Sequence, residues 1–140
     1  MRITEGKLIG TGLNIAIIAS RSGGVAVSQL IDNAKDILMR HDVSGSAIDI
    51  YRVPGVWELP VIAQEAALTG KYDAIIALGA ELTGELLPTL ATVALNHRVP
   101  VLFGSDGADC AMRAIETANL LRNIRRQNTT NTTEERIINA

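Results

Sequence analysis

The chain reads as an α/β protein, a single domain with a doubly wound, four-stranded parallel sheet between two layers of helices. Three observations predict this. Hydrophobic residues make up 47% of the chain and aromatics only 3%, so the core is built from Ile, Leu, Val and Ala, as in helix-covered parallel sheets. Short apolar runs of strand length alternate with longer stretches in which apolar residues recur at helical spacing. Each strand-like run also ends in a glycine-bearing turn, the position at which an open α/β sheet presents its ligand loops.

Residues 1–12 contain the alternating piece Met1-Arg2-Ile3-Thr4 and then Gly6, Gly10 and Gly12, which suggests a short edge strand or an arm. The run Asn14-Ile15-Ala16-Ile17-Ile18-Ala19 is the first core strand, closed by Ser20-Arg21-Ser22-Gly23-Gly24. Val27, Leu30, Ile31, Ala34, Ile37 and Leu38 mark one face of a helix over 25–41. A loop follows, and β-branched and aromatic residues then make 48–53 a second strand, stopped by Pro54-Gly55. Pro60 suits the first turn of a helix over 58–68, and Gly70 takes a left-handed C-cap.

The run Ala74-Ile75-Ile76-Ala77-Leu78 is the third strand. The next helix opens at Thr83-Gly84, holds Pro88 in its first turn, turns Leu87, Leu90, Val93 and Ala94 inward and ends at His97-Arg98. Residues 100–104 are the fourth strand, and the last helix is expected over 108–124. The domain is therefore 1–125, and the polar, low-complexity residues 126–140 are expected to be a disordered tail.

A net charge of −2 provides no basic field for nucleic acid or an anionic membrane. The single cysteine, Cys110, excludes an intrachain disulfide, and with neither a signal peptide nor a spanning apolar run the sequence points to the cytoplasm. No Gly-x-Gly-x-x-Gly or Walker loop is present, so hydride and phosphoryl transfer are not indicated. His41 and His97 fall at helix C-termini, where the helix dipole gives each a structural role, and no spacing suggests a metal site.

The strand-end loops hold the candidate polar groups Arg21, Glu58, Glu81 and Thr83, with Ser20, Ser22 and Ser105 as hydroxyls. None forms a recognisable triad, so no catalytic residue is identified. The centre of interest is Arg52-Val53-Pro54-Gly55-Val56-Trp57-Glu58-Leu59-Pro60, with the only tryptophan of the chain. Trp57 and Glu58 would flank a ligand crevice, although Trp57 could equally cap the core and Glu58 complement a helix dipole.

These residues resemble the lumazine synthase family. The resemblance is carried by Glu5-Gly6-Lys7-Leu8, the first strand with Arg21, the Val-Pro-Gly-x-x-Glu-x-Pro pattern of 53–60, Lys71-Tyr72-Asp73-Ala74, and Val99-Pro100-Val101-Leu102-Phe103-Gly104 with the last helix. It implies a flavodoxin-like three-layer fold and the penultimate step of riboflavin synthesis. In that step 5-amino-6-ribitylaminouracil condenses with 3,4-dihydroxy-2-butanone 4-phosphate, without a cofactor, at sites between the subunits of a pentamer or a pentamer-built cage. Carried over by position, Val56, Trp57 and Glu58 would hold the ribityl-pyrimidine, Ala80, Glu81 and Leu82 would line the same pocket, and Phe103 would stand near its wall.

The chain also departs from the family pattern. Ser22 stands where an aromatic residue usually stacks on the substrate ring. In Thr83-Gly84-Glu85-Leu86-Leu87-Pro88, Pro88 replaces the proton-transferring histidine and Leu86 a phosphate-binding threonine. Ser105-Asp106-Gly107 leads straight into the last helix, without the segment that carries the phosphate-binding arginine and a nearby lysine. These departures predict impaired synthase activity, or alternatively a non-catalytic scaffold, cage-assembly or ribityl-pyrimidine-binding subunit.

Overall fold

The computed structural model describes the backbone of residues 1–139 and the side chains of residues 1–129. Four parallel strands form one sheet: β1 (Ile15–Ser20), β2 (Ile48–Val53), β3 (Ala74–Leu78) and β4 (Val101–Gly104), in the order β2-β1-β3-β4. Ile15 pairs with Ile48 on one side and Ala74 on the other, and Ile75 pairs with Val101. The helices are α1 (Gly24–Arg40), α2 (Leu59–Leu68), α3 (Leu86–His97) and α4 (Gly107–Asn139).

The period of two along each strand divides its side chains between two cores. Ile15, Ile17, Ala19, Ala74, Ile76 and Leu78 pack with Val27, Ile31, Leu38, Ala111 and Ile115 from α1 and α4. Ala16, Ile18, Ile75 and Ala77 pack on the other face with Leu59, Ala63, Leu90 and Val93 from α2 and α3. Strands β1 and β3 are fully buried, which is why they read as unbroken apolar runs, whereas β2 is an edge strand with Ile50, Tyr51 and Arg52 exposed. Two close approaches fix the packing of α4: a Cβ on Gly107 would lie 2.1 Å from the Leu30 carbonyl oxygen, and one on Gly6 would lie 1.8 Å from that of Glu116.

Of the two readings of residues 1–12, the arm holds and the edge strand does not: they lie along α4, where the Asn119 amide donates to the carbonyls of Lys7 (2.6 Å) and Ile9 (2.9 Å), and Gln127 donates to the Thr4 hydroxyl (3.2 Å). Two expectations are corrected. The last helix does not end near Ile124 but continues to Asn139, and on its fifth and sixth turns Asn123, Arg125 and Gln127 are held by the arm and by the end of α3. In α3 the leucine buried beside Leu90 is Leu86, 2% exposed, while Leu87, expected inward, is only half-buried.

Candidate functional site

The connections from β1 to β2 and from β3 to β4 leave in opposite directions, so the crevice of this sheet opens between the C-terminal ends of β1 and β3. The two loops there touch. Gly23, at φ 94°, faces Ala80 so closely that a Cβ would sit 2.7 Å from the Ala80 Cβ.

The loop after β1 is held by an extension of the sheet. The Arg21 N–H donates to the Val53 carbonyl at 2.7 Å and the Ser22 N–H to the Pro54 carbonyl at 3.2 Å. Ser20, fully buried, donates its hydroxyl to the Ser22 carbonyl at 2.9 Å, and Arg52 donates from its guanidinium to the Ser20 carbonyl at 3.3 Å. Arg52 is a clamp that sequence reasoning missed; its place at the end of β2, in register with Ala19, was the available signal.

The loop after β2 turns at Pro54-Gly55 into one 3-10 turn, Val56–Glu58, from which α2 starts with Pro60 in its first turn. Trp57 is 60% exposed, so it does not cap the core. Glu58 makes no side-chain capping bond to α2. Its two carboxylate oxygens instead lie 3.7 Å from where a Gly55 Cβ would be, and the Ser22 hydroxyl lies 4.0 Å from the same point. Ser22 and Glu58, from different strand ends, therefore face one small volume that the glycine leaves open.

The floor is apolar. A Cβ on Gly79 would meet Val56 Cγ1 at 2.7 Å and Leu82 Cδ2 at 3.2 Å. Val56, Leu82 and Phe103 are partly buried against the core on the α2 and α3 face. Glu81 and Thr83 are exposed beside this floor, and Arg21 and Ser105 are exposed at their own strand ends. Both histidines are at the other end of the sheet: His41 caps α1 at its C-terminus and His97 ends α3. Pro88 is exposed on the first turn of α3 and has no proton to exchange.

The loop after β4 shows what the short connection does. Asp106 accepts the Ala108 N–H at 3.0 Å and the Asp109 N–H at 3.2 Å, so a carboxylate of the chain itself fills the anion-attracting start of α4. Behind it Cys110 is buried, and that burial pushes its thiol pKa up, away from the reactive thiolate. Among the described residues no group of three His, Cys, Asp or Glu side chains is arranged to hold a metal ion, and no helix is long and apolar enough to cross a membrane.

The β1/β3 crevice thus brings together an apolar floor, an exposed indole, and a carboxylate and a hydroxyl that both face Gly55. The family model of 6,7-dimethyl-8-ribityllumazine synthase matches residues 12–119, a span that contains the four strands and every loop described above. The chain therefore belongs to the 6,7-dimethyl-8-ribityllumazine synthase family.

Proposed function

We propose that the chain binds a ribityl-pyrimidine in the β1/β3 crevice and condenses 5-amino-6-ribitylaminouracil with 3,4-dihydroxy-2-butanone 4-phosphate at a reduced rate. The convergence of Ser22 and Glu58 on Gly55 carries this reading, because it gives a polyhydroxyl chain a charged acceptor and a neutral hydroxyl facing the same space. Trp57 offers a ring face, Val56, Leu82 and Phe103 the apolar floor, and Ala80 and Glu81 the rim. The chain works as a homo-oligomer, a pentamer or a cage of pentamers in the cytoplasm, in which a neighbouring subunit closes the open side of the crevice.

The reduction in rate follows from chemistry that the site does not supply. A positioned general acid or base contributes about 10²–10⁴-fold, and Pro88 offers neither. Charge-assisted bonds to phosphate contribute about 1.5–3 kcal/mol each, and the start of α4 carries Asp106 and Asp109 instead. Positioning of two reactive substrates remains the main source of acceleration. The alternative, a binding or assembly subunit without turnover, is favoured by the same carboxylate at the α4 start.

Calorimetry with a ribityl-pyrimidine tests the binding site. Glu58→Ala is expected to weaken affinity at least about tenfold, the loss of one charged hydrogen-bond acceptor. Unchanged affinity would remove Glu58 from the site.

A further inference from the structure

We propose that the basic cleft between α3 and α4, at the end of the sheet opposite the crevice, binds an amphipathic small-molecule anion: a carboxylate or phosphate monoester head on a short hydrocarbon body. A cavity of about 590 Å³ opens there, with Arg98, Arg122, Arg125 and His97 on its wall and Asp73 as its one carboxylate among the described residues. Asp73 is already engaged, by Arg122 at 3.2 Å and by the Asn14 N–H at 2.7 Å, so the wall keeps an excess of positive charge in a chain whose net charge is negative.

At each of the two helix ends that face the cleft, a side chain holds one carbonyl. Arg125 donates to the Arg98 carbonyl at 2.9 Å at the end of α3, and the Thr69 hydroxyl donates to the Ala66 carbonyl at 2.6 Å at the end of α2. Arg98 itself is in the left-handed region at φ 56°, where glycine would fit without strain, and it is an exposed residue that lines the cleft.

Next to this cleft is a second cavity, of about 320 Å³, which shares Arg98, Val99, Leu121 and Arg125 with the first. Its remaining wall is mainly apolar, with Leu95 80% and Ile124 40% exposed. The arginines thus divide one groove into a cationic half and an apolar half. Charge complementarity calls for an anionic head, the apolar half for a hydrocarbon, and the volumes are those of small-molecule sites.

Isothermal titration calorimetry on the full chain tests the proposal with octyl phosphate, inorganic phosphate and octanol as probes. Octyl phosphate is expected to bind one per chain, at least about tenfold tighter than inorganic phosphate, with no measurable heat from octanol. Arg98→Gly removes the guanidinium, suits the backbone and keeps the carbonyl that Arg125 holds; it should weaken octyl phosphate binding about tenfold without lowering the Tm. Leu95→Ser, on the exposed surface, should bring octyl phosphate towards inorganic phosphate. Equal binding of the two phosphates, or equal binding by Arg98→Gly and the parent chain, overturns the proposal. Arg98-dependent binding to phosphatidylglycerol vesicles with none to octyl phosphate also overturns it, in favour of a lipid surface.

Discussion

The Ser22 hydroxyl and the Glu58 carboxylate, brought from the ends of β1 and β2, meet across Gly55 at 4.0 Å and 3.7 Å from the point where a Cβ would stand. Gly55 has φ −142° and ψ 178°, an extended conformation open to any residue. Its value is therefore space and not backbone freedom. Gly55→Leu should fold with an unchanged Tm and lose ribityl-pyrimidine affinity at least about tenfold, measured by calorimetry beside thermal unfolding. A lower Tm with intact affinity would show that the glycine serves packing.

The strands and helices were legible because β1 and β3 are buried on both faces and the helices carry one apolar stripe each. The loops of the site were legible for a related reason: Pro54-Gly55, Gly23 and Gly79 mark the sharp ends of strands. The docking of the arm on α4 and the continuation of that helix were not. They depend on Asn119, Asn123 and Gln127 reaching residues more than 100 positions earlier, and polar side chains of this kind carry no periodic signal. The clamp from Arg52 to the Ser20 carbonyl was hidden in the same way.

The arm can be released without disturbing the core. A Cβ on Gly6 would press on the backbone of α4 at Glu116, which has no flexible end to move aside. Gly6→Ala should therefore expose residues 1–9 to limited proteolysis while the urea midpoint of the remaining domain hardly changes. A protease-resistant arm in this variant would contradict the docking described.

At the base of the sheet, Asp49 accepts from the Lys71 ammonium at 2.7 Å and the Tyr72 hydroxyl at 2.6 Å, and the Tyr72 and Tyr51 hydroxyls bond to each other. The Lys71 bond, then that of Tyr72, holds the Asp49 carboxyl below its ordinary value of 3.8; the bond to Asp49 raises Lys71 above 10.5; burial first, then Asp49 and Tyr51, raises Tyr72 above 10.0. The Asp49 contribution to stability is present above pH 3.8 and lost as pH falls through its lowered pKa. Those of Lys71 and Tyr72 are complete below their ordinary values and lost as pH rises past them. The Tm deficit of Asp49→Asn should therefore be level between about pH 5 and pH 9 and shrink at both extremes. A deficit that grows at either extreme would reverse the assigned signs.

Cys110 is fully buried beneath the start of α4, and burial raises its thiol pKa. Its reaction with an aromatic disulfide reagent should be slow in the native chain and immediate in concentrated urea. Rapid native labelling would mean that the start of α4 opens, and with it the loop capped by Asp106.

In the proposed function, the crevice keeps a ribityl-pyrimidine half and lacks proton-transfer and phosphate groups. The most direct test follows lumazine fluorescence with both substrates against the uncatalysed reaction. Formation above background is expected, with a high KM for the butanone phosphate and loss of the excess in Glu58→Ala. A rate equal to background, or an excess that Glu58→Ala leaves untouched, would contradict it.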